Sequence, residues 1–168
     1  MTFGLKMELR VRETHAGDIE DMFSVRSRTR QNPISKERLV AYGITSESSA
    51  ASMANGKVKG WACFHGPALV GFCNGDSTTG EVLVLAVLPE YEGKGIGKQL
   101  LLHVVKWLRS IGFERPWLAA SPDARLRAHG FYRSLGWRPN GKLLENGDEI
   151  LQLEPNKLLQ PTCEDARG

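Results

Sequence analysis

Apolar positions recur along this chain with different periods, and each period predicts a different kind of element. From Leu9 to Arg12 apolar and basic residues alternate, the two-residue period of a half-buried strand. Ile19, Met22, Phe23 and Val25 then fall at helical spacing, predicting a helix over 16–29 that Thr14 or Asp18 would cap. Asn32-Pro33 breaks that helix, Ser35 is placed to cap a short one with Leu39 and Val40 on one side, and a further helical piece runs from Thr45 to Ala54 until Asn55-Gly56 stops it. Val58 to Phe64 and Leu69 to Cys73 are short apolar runs joined by His65-Gly66-Pro67-Ala68, which predicts an antiparallel hairpin. After a turn over 74–80, Glu81 to Leu88 is almost continuously apolar, the pattern of a strand covered on both faces and therefore central.

Pro89 ends that strand and a glycine-rich turn follows. Ile96, Leu100, Leu101, Val104, Leu108 and Ile111 then form one helical stripe, with Lys98, Gln99, Lys106 and Arg109 opposite and Gly112 as the stop. Trp117 to Ala120 reads as a second short strand, Ser121-Pro122-Asp123 as a helix start, Ala124 to Leu135 as the helix and Gly136 as its end. Asn146-Gly147 marks a two-residue hairpin with Ile150 to Leu153 beyond it. This order predicts an α+β fold: a mixed central sheet of about six or seven strands, parallel in part of its second half and flanked by helices. It fills a single domain over 1–154, and the tail over 155–168, polar and without periodicity, is expected to be poorly ordered.

Composition narrows the function. With 168 residues, 41% hydrophobic and 24% charged, the chain has apolar material for one ordinary core. A net charge of +3 is too small to argue for nucleic acid or an anionic membrane as partner. Cys63, Cys73 and Cys163 cannot all pair within the chain, the first residues lack a secretory signal, and no stretch approaches the ~20 apolar residues of a membrane span, which together predict a cytoplasmic protein. His15, His65, His103 and His129 are scattered without ligand spacing, so no metal site is expected.

The chemistry concentrates in Glu92-Gly93-Lys94-Gly95-Ile96-Gly97. A turn between a buried strand and a helix aims backbone N–H groups and the positive end of the helix dipole at one spot, which favours a phosphate. Gly93, Gly95 and Gly97 let a ligand approach the backbone, and Lys94 and Lys98 add charge at the rim; the competing reading is a flexible connection. The dinucleotide fingerprint fails, because Lys98 and Leu100 stand where its third glycine belongs. The nucleoside-triphosphate loop fails as well, because Gly97-Lys98 is followed by Gln99 rather than a Ser or Thr to hold magnesium.

The run Val87-Leu-Pro-Glu-Tyr-Glu-Gly-Lys-Gly-Ile-Gly-Lys-Gln-Leu-Leu102 resembles motif A of the GCN5-related N-acetyltransferases (GNAT), and Phe131-Tyr-Arg-Ser-Leu-Gly-Trp137 resembles their motif B. The resemblance covers roughly Val58 to Trp137 and departs at Glu92, where the family has Gln or Arg. An acid there repels a pyrophosphate unless it turns away or contacts a cation.

The resemblance implies an acetyl-CoA-dependent acyltransferase that passes an acetyl group directly to a primary amine of a small molecule or peptide, without metal. Acetyl-CoA and an amine acceptor are the partners it implies, and pairing with a second copy of the chain is compatible with it. Leu85, Ala86 and Val87 would meet the pantetheine arm; Glu92, Gly93, Lys94, Gly95, Ile96, Gly97 and Lys98 would surround the pyrophosphate; Ser121 would contact the arm or cap a helix. Tyr132 would protonate the leaving thiolate, its alternative being a packing residue, and Glu81 would act as general base, its alternative being a solvated strand start. Arg26, Arg28 and Arg30 read as a solvated helix end or as a site for an anionic substrate or the 3′-phosphate. A non-catalytic acyl-CoA-binding sensor would keep the turn while losing the acid and base, and both Tyr132 and Glu81 are present.

Overall fold

The computed structural model describes residues 8–155, so the tail from 156 onward and Cys163 lie outside the described residues. β1 (Leu9–Glu13) leads through a short 3-10 turn into α1 (Ile19–Ser27), followed by α2 (Lys36–Ala41) and α3 (Ser46–Ala54). β2 (Val58–His65) and β3 (Ala68–Asp76) form the expected hairpin, and β4 (Val82–Val87) returns alongside β3. The order then runs α4 (Ile96–Ser110), β5 (Trp117–Ala120), α5 (Arg127–Ser134), β6 (Trp137–Leu143) and β7 (Glu149–Leu153).

Among the described residues seven strands divide into two sheets, β1-β2-β3-β4 and β5-β7-β6. The α+β class, the strand number and the flanking helices are as the sequence predicts. The strand predicted to be central is instead the edge of its sheet, with Val82 and Ala86 buried but Leu83 42% exposed. Every pairing between named strands is antiparallel, and the expected parallel portion shrinks to one bridge, Glu81 with Trp117. A single cluster of buried side chains, including Leu100, Leu101, Val104, Leu108, Trp137, Leu151 and Leu153, joins the two sheets under α4.

Several local expectations change for identifiable reasons. His15, rather than Thr14 or Asp18, accepts the N–H at the start of the first helical segment, because the Asp18 carboxylate is engaged by Arg12 at 2.8 and 2.9 Å and by the His15 N–H. Ser35 does cap α2, accepting the Arg38 N–H, but six residues turn only Leu39 inward and leave Val40 exposed. Ile111 is exposed because α4 ends at Ser110, while Val105 joins the buried stripe. The Asn146-Gly147 hairpin has a three-residue loop: Gly147, at φ 91°, donates to the Leu144 carbonyl while Leu144 and Asp148 still pair.

The helix expected from Ala124 starts only at Arg127. Ser121 and Asp123 spend their side chains on turns instead of a cap, accepting the N–H groups of Asp123 and Arg125 at 3.2 and 2.9 Å. Leu126 stands at the N-cap position and offers no side-chain acceptor.

Candidate active site

β4 and β5 are fastened at one end only. The Trp117 N–H donates to the Gly80 carbonyl at 3.2 Å, its indole N–H donates to the Thr79 carbonyl at 3.0 Å, and Glu81 bridges Trp117. Past that point the strands part, β4 pairing with β3 and β5 with β7. A strand edge without a strand partner offers N–H and C=O groups to a ligand. A cleft of about 670 Å³ opens between them, with Leu85, Ala86 and Val87 on one wall and Ala119, Ala120 and Ser121 on the other.

The glycine-rich turn closes one end of the cleft. Gly93 and Gly95 take φ of 76° and 81°, the left-handed region that L side chains avoid. An added Cβ at either position would meet no protein atom within 4 Å, so backbone conformation, not crowding, calls for glycine there. Gly95 is the N-cap of α4 and supplies no side-chain acceptor, and the first helical bond runs from the Gln99 N–H to its carbonyl. The N–H groups of Ile96, Gly97 and Lys98 therefore have no partner within the helix. At Gly97 an added Cβ would stand 3.4 Å from Phe131 Cζ, an ordinary contact distance, so packing against α5 does not call for glycine there.

Glu92 is held by two cations. Its carboxylate lies 3.2 Å from Arg30 Nε and 3.4 Å from Arg127 Nη1, and Gln31 Oε1 accepts the Arg127 N–H at 3.0 Å. The acid is thus paired with two cations at one oxygen, and the segment after α1 is tied to the start of α5. Tyr91, another lining residue, pairs its hydroxyl with His65 Nδ1 at 2.6 Å.

Tyr132 lies on the cleft wall, its ring edge-on to Trp137 with centroids 6.1 Å apart and to Phe131 at 5.1 Å. Burial pushes its phenol well above the ordinary range and nearby Cys73 acts in the same direction, while Arg26 pulls it back. Arg26 also lines the cleft, and burial lowers its own pKa.

A sequence model of the acetyltransferase (GNAT) family matches residues 19–137. The chain belongs to that family. This GNAT chain is 38% identical over 74 residues to an uncharacterized ycf52-like N-acetyltransferase of Prochlorococcus marinus, a match covering 42% of the chain and 39% of that protein. Its fold is similar to PaiA N-acetyltransferase of Thermoplasma acidophilum, solved in complex with coenzyme A, at TM-score 0.73 and 22% identity over 88% of this chain and 99% of that one. It is also similar to the ribosomal-protein-S18-alanine N-acetyltransferase of Escherichia coli, at TM-score 0.64 and 18% identity over 88% and 94% of the two chains.

In this GNAT cleft the structure gathers Leu85, Ala86, Val87, Glu92, Gly93, Gly95, Ile96, Gly97, Lys98, Ser121 and Tyr132. Two predicted residues stay outside its lining. Lys94 points to solvent, and Glu81 sits at the fastened end of β4, where burial and the neighbouring Asp76 raise its carboxyl pKa. Sequence reasoning did not assign Gln31, Asn32, Arg127 and Asp148 to the site. Their segments lie far apart in the chain, and no motif spacing links them.

Proposed function

We propose that this chain transfers the acetyl group of acetyl-CoA directly to a primary amine. The observation that carries the reading is the junction of an uncapped α4 N-terminus with the unpaired edge of β4 in one cleft that also holds Tyr132. The N–H groups of Ile96, Gly97 and Lys98 would take the pyrophosphate. Leu85 and Val87 would pair with the pantetheine amides as a further strand would, and a β4 N–H would polarise the thioester carbonyl.

In the reaction the amine nitrogen attacks the thioester carbonyl carbon, the carbon–sulfur bond breaks, and the thiolate leaves. Tyr132, its proton held more firmly than in an ordinary phenol, supplies the proton that converts thiolate to thiol. Glu81 accepts the amine's proton, helped by a carboxyl pKa raised by burial and then by Asp76. From the strand rise of ~3.3 Å per residue, Glu81 stands about 13 Å from Leu85, beyond direct contact or one bridging water, so this transfer requires a chain of several waters from the amine to the carboxylate. Cys63 and Cys73 are buried and their thiols shifted upward, which keeps them protonated and speaks for direct transfer over an acyl-cysteine. Two buried free thiols also fit the reducing cytoplasm.

The position of Glu81 outside the cleft lining favours the second reading, an acyl-CoA sensor that binds without turnover. One pair of measurements separates the two. Coenzyme A should raise the Tm of the wild-type protein and acetyl-CoA should release free thiol in the presence of an amine; the Tm shift without amine-dependent thiol release would select the sensor. Gly95→Val should lose the shift, because a β-branched side chain is strained at φ 81° and projects into the space above the turn. An undiminished shift in that variant would remove the phosphate cradle.

A further inference from the structure

Two arginines that line the cleft, Arg26 in the last turn of α1 and Arg30 just beyond the helix, are in different states. Arg30 is committed to Glu92 at the phosphate turn. Arg26, four residues earlier, stands within electrostatic reach of Tyr132, and among the described residues it has no carboxylate partner. Its guanidinium has one long contact, to the Asn32 carbonyl at 3.5 Å. A guanidinium partly withdrawn from water and left without an anion forgoes the strongest hydrogen bonds available to it. The backbones of Ile34 and Arg26 are joined, the Ile34 N–H donating to the Arg26 carbonyl at 3.2 Å, and Thr29, Asn32 and Ile34 line the same cleft.

We infer that Arg26 receives a carboxylate of the acceptor, so that the amine acetylated by this chain belongs to the amino acid class rather than to the simple amines or polyamines. The inference rests on the transfer reading above and gives its acceptor a chemistry. A single guanidinium without an anion in the cleft matches a compact monoanion, and its planar fork matches the two oxygens of a carboxylate. The coenzyme's phosphates would have the turn, Lys98 and the Arg30–Arg127 pair on Glu92. With the carboxylate on Arg26, the adjacent amine is held on the Tyr132 side of the cleft, where the thiol would leave.

The test compares L-amino acids with their decarboxylated amines and methyl esters, lysine with cadaverine and phenylalanine with phenethylamine, on wild type, Arg26→Met and Arg26→Lys. Wild type should favour the carboxylated member by about tenfold or more in kcat/KM, the range for one charge-assisted contact. Arg26→Met, which keeps the apolar stem, should erase that preference while leaving the Kd of coenzyme A within about twofold, any loss shared by acids and decarboxylated amines reflecting the loss of its charge near Tyr132; Arg26→Lys should retain part of the preference. A wild type without preference would overturn the inference. So would an Arg26→Met variant that weakens coenzyme A in proportion, which would assign Arg26 to the coenzyme. Should no amine be acetylated, transfer itself fails, and the inference is then decided by Tm in saturating coenzyme A. Added protection by the amino acids, lost in Arg26→Met, would uphold it; protection no greater than that by the amines would overturn it.

Discussion

α4 turns six buried side chains toward the core along its 15 residues, whereas α5 has eight residues and none that is buried. Both helices flank the same cleft, and neither has a side-chain cap. α4 is fixed by packing, so its open N-terminus, whose chemistry is purely backbone, is held rigid by residues far from the ligand. α5 is fixed by its surroundings: Tyr132 against Trp137, Arg133 paired with Glu149, and Arg127 paired with Glu92. Substitutions in α4 should therefore act through folding, and substitutions in α5 through chemistry.

The largest effect expected is from Tyr132→Phe. The ring and its edge contact with Trp137 remain, so the fold and coenzyme binding should be kept while kcat falls by roughly 10²–10⁴-fold, the range for a general acid. The pH profile gives a second readout. A base must be unprotonated, and the Glu81 carboxyl is raised, so activity in wild type should fall as pH drops through a value above the usual carboxylate range. The acid must be protonated, and the Tyr132 phenol is raised, so the alkaline limb should lie beyond that of an ordinary phenol and disappear in Tyr132→Phe. An unchanged kcat would reduce Tyr132 to a packing residue and leave α5 without its chemistry.

Next comes Leu100→Ala. Leu100 is fully buried in the cluster that joins the sheets, so its truncation should cost about 2–5 kcal/mol in urea unfolding. Ser134→Ala in α5, which loses an exposed hydroxyl contact with the Phe131 carbonyl, should stay within about 0.5 kcal/mol. Similar costs at the two positions would break the contrast between the helices.

That contrast also decides what was legible in the sequence. The α4 stripe and its turn are local patterns: helical spacing, alternating glycines and a strand ended by Pro89 each act on near neighbours, and the structure places them accordingly. Leu85, Ala86 and Val87 come from the family resemblance rather than from the pattern, and they line the cleft. The start of α5 was misread because Ser121-Pro122-Asp123 can cap a helix or close turns, and the local sequence does not choose between them. β4 was misread as central because its apolar residues face two helices and a cleft, which gives the same sequence pattern as a strand covered by further layers. The arginine pair on Glu92 was out of reach, since it joins residues 30, 92 and 127 through tertiary structure alone.

The smallest effect predicted concerns that pair, and its sign discriminates between a backbone site and a side-chain site. Both arginines are more than half exposed, so each contact is worth at most about 1 kcal/mol, and Glu92→Gln should lower stability by no more than that. For coenzyme binding two effects oppose each other. Removing the acid takes one negative charge away from the proposed pyrophosphate site and leaves both arginines free to meet phosphate oxygens; it also removes the link that places them. If the backbone of the turn carries the affinity, the charge effect wins, and Glu92→Gln should tighten coenzyme A by about two- to fivefold at low salt, less as salt screens the site. Weaker binding would mean that the arginines bind phosphate only where Glu92 holds them, and the turn would then depend on side chains as α5 does.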